Sequence, residues 1–144
     1  MFEQSTQQPF AHPAVNGNGV YCGQCGATPA ARVDIRGHRG FLIFMQFLKM
    51  PGPFCRDCGI ATYRRMTSES LFLGWWGPIS LWVNGFVMLL NLPGRSTLGK
   101  LPPPIPGSPR QPLSPGKPLY RRPAVIGFLV PLVLYTLILI AVIQ

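Results

Sequence analysis

The chain has 144 residues, and its 13 Lys and Arg against 4 Asp and Glu give a formal net charge of +9. That length holds one small domain with accessories. Asp34, Asp57 and Glu69 make no catalytic pair, and no Ser/His/Asp pattern or phosphate-cradling glycine loop occurs, so nothing in the composition argues for an enzyme.

Residues 1–20, MFEQSTQQPFAHPAVNGNGV, are polar and rich in Gln, Asn, Gly and Pro. They predict a disordered tail. With no basic start and no apolar core they do not form a signal peptide.

Residues 21–66 are bracketed by YCGQCG at 21–26 and FCRDCG at 54–59, which hold all four cysteines. Between them, Ala31, Val33 and Ile35 alternate with Arg32, Asp34 and Arg36, the period of a half-buried strand. GHRG at 37–40 reads as a turn, with His38 on its surface, and FLIFMQFLKM at 41–50 as the returning strand. The consecutive apolar residues Phe41–Met45 put apolar side chains on both faces of that strand, one for the domain and one for a membrane or a partner. IATYRRM at 60–66 reads as a closing strand.

Two stretches carry no charge: Ser70–Gly94 and Pro123–Gln144. Each is long enough to cross about 30 Å of hydrocarbon, so two transmembrane helices are expected, at 70–92 and 124–143. On a helical wheel Gly77, Ser80, Asn84 and Asn91 fall on one side, opposite Trp75, Trp82, Phe86 and Leu89. A small-and-polar stripe in a span predicts contact with protein, either the second span or another subunit. Between the two stretches, residues 93–123 hold ten of the 17 prolines and six Lys/Arg without apolar periodicity, and read as an extended linker.

The cysteines carry the sharpest chemistry. C-x2-C turns bring two sulfurs to one ion, and Zn²⁺ takes four in a tetrahedron. The spacing C-x2-C-x29-C-x2-C fits two knuckles joined by a long hairpin. Gly26 and Gly59 after each pair permit the inward turn of backbone N–H groups that supports thiolates. The expected fold is therefore a small β zinc ribbon with structural Zn²⁺ on Cys22, Cys25, Cys55 and Cys58, plus two membrane helices. A closed four-thiolate site leaves no open position for substrate. Two disulfides, an iron–sulfur cluster and a thiol redox pair remain alternatives on the same residues.

The basic residues Arg32, Arg36, Arg39, Arg56, Arg64 and Arg65 could face nucleic acid, but beside a span they suit anionic lipid better. Lys117, Arg121 and Arg122 draw the linker to the cytoplasm, whereas thiolates prefer a reducing compartment. Two simple crossings cannot satisfy both, and a first segment re-entering at Gly77-Pro78 would. The ribbon and the C-terminus are assigned to the cytoplasm.

RGHRGFLIFMQFLKMPGPFCRDCG, YRRMTSESL and GWWGPISLWVNGFVMLLNL together resemble small membrane proteins of bacteria, frequent in actinobacteria, with a knuckle pair followed by a Gly-Trp-Trp-Gly span. The likeness covers 21–93 and implies the four cysteines as metal ligands, in the bacterial inner membrane. That family carries no established activity. The expectation is a multi-pass, non-enzymatic zinc-ribbon protein acting as a structural or accessory subunit, with a protein partner met through Gly77, Ser80, Asn84, Asn91 and the ribbon. A thiol redox protein and a membrane-tethered nucleic-acid binder are the rivals.

Overall fold

The computed structural model describes residues 17–41 and 43–144. The expected tail at 1–20 lies outside these up to residue 16. Four strands come first: β1 (Ala30–Ala31), β2 (Asp34–Phe41), β3 (Phe44–Pro51) and β4 (Phe54–Cys55). Helices α1 (Arg56–Leu73), α2 (Pro78–Leu90) and α3 (Leu92–Lys100) follow. Two short 3-10 segments, Leu119–Arg121 and Pro123–Phe128, lead into α4 (Leu129–Ile143). β2 and β3 form an antiparallel hairpin from Asp34↔Pro51 to Phe41↔Phe44. β1 and β4 pair through Ala30↔Cys55 and Ala31↔Phe54 and tie the two cysteine knuckles together.

The expected turn GHRG is strand, and the hairpin reverses beyond Phe41. Its glycines serve close approach rather than reversal. A Cβ on Gly40 would stand 2.0 Å from Ser80 Oγ of α2, and one on Gly37 would stand 3.2 Å from Met66 Cε of α1. β2 thus runs between two helices with side chains buried on both faces, and His38, expected on the surface, is fully buried. The His38 N–H donates to Ser70 Oγ at 2.9 Å. Asn91 clamps Arg36 from both sides, accepting from its N–H at 2.9 Å and donating to its carbonyl at 2.6 Å.

The expected strand IATYRRM is helical. Buried Gly59, Tyr63, Met66 and Ser70 recur every three to four residues, which is the α1 face turned to β2, α3 and the chain before α4. α1 runs on into the first charge-free stretch, ends at Gly74, and α2 restarts at Pro78. Proline is suited to a first turn because it lacks an N–H. The 13 residues of α2 measure about 20 Å, short of a bilayer.

Among the described residues one helix, not two, is therefore long and apolar enough to cross a membrane: Pro123–Ile143, with mean hydropathy 2.8. The first expected span is a broken segment packed on the hairpin. The expected linker is not a free spacer either. It opens with α3, whose Leu98 is wholly buried against Gly59, Phe54 and Tyr63 of the central core.

Replacing Gly40 by Ala should cost about 1–3 kcal/mol by overpacking, read as a lowered midpoint in chemical denaturation. Ser80→Gly in the same chain should recover part of it, because the two sites share one contact. Burial holds the His38 imidazole below its ordinary 6.5. The folded state therefore binds fewer protons than the unfolded one, and the stability present above pH 6.5 drains away below it. His38→Gln should flatten that acid limb in a plot of Tm against pH.

Candidate metal centre

The first knuckle is a tight loop closed on itself. The Cys22 N–H donates to Ala27 O and the Gly26 N–H to Cys22 O, both at 2.8 Å. Gly26 takes φ +78°, which a side chain resists, and this leaves the Ala27 N–H directed at Cys25 Sγ at 3.5 Å. The second knuckle is built differently. Cys55 ends β4 and caps α1, and Cys58 lies in the first turn of that helix. Gly59 is helical rather than left-handed, so its role is space for Leu98 instead of an inward turn. The Gly23 N–H reaches across to Pro53 O at 2.9 Å and joins the loops.

These links bring all four sulfurs within 4.8 Å of one another. Cys25 Sγ and Cys55 Sγ stand 3.7 Å apart, and all four cysteines are unbonded. Four sulfurs at ~2.3 Å from one tetrahedral ion stand ~3.8 Å apart, whereas a disulfide needs ~2 Å. The donor set and its spacing therefore fit a four-thiolate metal ion. Such a set suits zinc or iron alike, so the geometry speaks for metal binding and not for which metal.

Each sulfur sits in a shielded place: Cys22 and Cys25 are 3% and 2% exposed, Cys55 and Cys58 not at all. Burial pushes the Cys58 thiol up to about 12 and raises Cys55 further in the same direction. Burial raises Cys22 as well, but N–H groups of Cys55, Cys25 and Gln24 outweigh it and bring that thiol below its ordinary 9.0. A cation at the centre would supply what Cys55 and Cys58 lack for ionisation.

The proline-rich segment contributes what its sequence hid. The Leu113 N–H donates to Cys58 Sγ at 3.2 Å, the Arg110 N–H to Cys25 O at 3.2 Å, and the Ile105 N–H to Thr28 O at 3.0 Å. Residues 105–113 thus lie over both knuckles. These are backbone contacts from a segment without periodicity, so no side-chain pattern announces them. Pro109 and Arg110 border an open hollow of about 270 Å³ beside Cys22 and Cys25.

The small-and-polar stripe does face protein, but the protein is this chain's own hairpin and α1. Gly77, Ser80, Asn84 and Asn91 are all buried, and Asn84 donates to Ser70 O at 3.0 Å. The stripe is filled from within. Several cations are likewise engaged inside the chain. Arg39 pairs with Glu69, Lys49 meets Asp34 at 2.9 Å, and Arg64 donates to the carbonyls of Pro115 and Gly116.

Removing a bound ion with a chelator should leave Cys58 as a thiol whose ionisation is coupled to folding. The raised Cys58 thiol stabilises the metal-free fold below pH 9, and that contribution is lost as pH climbs from 9 toward 12. The metal-free protein should therefore lose Tm across that alkaline window while the metal-loaded protein, already deprotonated, holds its Tm. Cys58→Ser should abolish stoichiometric metal in elemental analysis and lower the melting temperature of protein prepared with metal.

No family model, curated protein or solved structure matches the chain, so the resemblance to small bacterial membrane proteins rests on the quoted residues alone.

Proposed function

We propose that the chain is a non-enzymatic zinc protein of the bacterial inner membrane, held there by Pro123–Ile143 and serving as a structural or accessory subunit of a membrane complex. The observation that carries the metal role is the closed cage: four thiols at 3% exposure or less, strapped by residues 105–113. Such a site leaves no place for substrate, and its metal holds structure. Zinc on Cys22, Cys25, Cys55 and Cys58 needs no redox cycling, whereas a thiol redox protein needs an exposed thiol of low pKa. Burial works against that at Cys55 and Cys58.

The membrane role is supported by the burial of the apolar helix. A core helix of equal hydropathy would be enclosed, yet only 11% of its most apolar window is buried. A surface that apolar requires lipid or another protein around it. Reducing conditions suit the thiolates, so the metal centre belongs on the cytoplasmic side. Because the polar stripe is occupied internally, a protein partner would meet the outer surface of the metal-bearing body.

The test is metal content, thiol reactivity and membrane retention on one preparation of the full chain made without added zinc. One zinc per chain, thiols silent until a chelator is added, and retention through alkaline washing are expected. Absent metal with rapidly reacting thiols would overturn the zinc role, and release by the wash would overturn the anchor. Cross-linking in native membranes should yield one discrete heteromeric adduct, and a chain that remains monomeric throughout would overturn the subunit role.

A further inference from the structure

We infer that the tip of the β2–β3 hairpin is a second membrane contact, seated among lipid acyl chains near the headgroup boundary, which rests on the anchoring proposed for α4. Ile43 is 83% exposed and Phe44 73%, and Phe41 and Met45 beside them are exposed too. Successive strand residues leave opposite faces, so Phe44 and Met45 put apolar surface on both sides of the tip. A folded protein partner covers one face of a protruding hairpin, whereas a bilayer surrounds it.

The surroundings agree on where lipid would begin. Arg39 pairs across the hairpin with Gln46 and by charge with Glu69 of α1. One residue earlier on α1, Arg122 donates to Ser68 Oγ at 3.3 Å. Beyond this polar level the hairpin carries no charge from Gly40 to Met45, nor does the corner between α1 and α2. Leu73 and Trp76 of that corner line a hollow of about 240 Å³ with Phe41, Phe44 and Met45. The Trp76 indole N–H is satisfied by Phe72 O at 2.7 Å and needs no water.

The tip is also continuous with the candidate anchor. Trp76 bridges to Phe41 on one side. Its neighbour Trp75 meets Phe128 edge-on at 6.3 Å, where the apolar helix leaves the body. Depth is limited by the backbone: among the described residues β3 pairs only with β2, so its other edge would present unpaired N–H and C=O groups to hydrocarbon. A shallow seat, one turn of hairpin deep, satisfies both constraints.

The experiment uses the full chain, metal-loaded, in vesicles of phosphatidylcholine and phosphatidylglycerol. A benzophenone amino acid is placed in turn at Ile43, at Phe44 and, as a polar-end comparison, at Lys49. After irradiation and alkaline washing, intact mass is recorded. Phospholipid adducts at both Ile43 and Phe44, and none at Lys49, are expected. A dimer adduct would mean a second copy covers the tip, and no adduct at either tip position would mean it faces water; either result overturns the inference. Lipid adducts at only one tip position would also overturn it, since a tip seated among acyl chains meets lipid at both the turn and the strand that leaves it. Protein lost in the wash speaks against α4 anchoring alone, because cross-linking is complete before the wash.

Discussion

Everything around the two cysteine knuckles depends on four sulfurs converging within 4.8 Å. The buried cluster there is composed of the cysteines themselves with Ala27 and Ala30, side chains too small to make an apolar core. Side chains of that size bury too little apolar surface to fix the two knuckles by themselves. A bound structural metal contributes about 10–16 kcal/mol in comparable small modules. The convergence also sets geometry elsewhere. It fixes the start of α1, since Cys55 caps that helix and Cys58 occupies its first turn. It fixes the path of residues 105–113, whose N–H groups land on Cys58 Sγ and Cys25 O.

The second half is organised by the passage of β2 between α1 and α2, which glycines make narrow enough. The interior this creates is unusually polar. His38, Ser70, Ser80 and Asn84 are all within 2% of complete burial. Some of these groups are paired, as in the bond from the His38 N–H to Ser70 Oγ. Others, including both ring nitrogens of His38 and Ser80 Oγ, have no hydrogen-bond partner among the described residues. Unpaired buried polar atoms cost stability, so this layer lends specificity of packing more than strength. That shifts further weight onto the thiol cage at the other end of α1.

The two ends of α1 therefore do different chemistry. Its N-terminus joins the buried thiols, and its C-terminus abuts an apolar corner from which α4 departs, Gly127 pressed against Leu71 O. α4 then passes the outer face of α2, with Trp82 edge-on to Tyr135 at 5.4 Å, and an apolar groove of about 470 Å³ opens between them. The buried thiol cluster and the apolar surface are held apart by the length of one 18-residue helix, about 27 Å.

The sequence by itself determined the cysteine cluster and the C-terminal apolar helix. Both signals are local: a C-x2-C turn places two sulfurs by its own geometry, and 20 uncharged residues declare their solvent preference without reference to the rest of the chain. What it misassigned depended on neighbours distant in sequence. GHRG looks like a turn because glycine permits one, yet here glycine clears space for Met66 and Ser80, which lie 29 and 40 residues farther on. IATYRRM looks like a strand by composition, and becomes helix because Gly59, Tyr63 and Met66 pack on Leu98 and the hairpin. The stripe through Ser80 and Asn84 signalled protein contact, but only the tertiary structure decided that the contact is internal. The proline-rich segment's cover over the sulfurs is made through backbone N–H groups, and backbone groups leave no mark in a sequence.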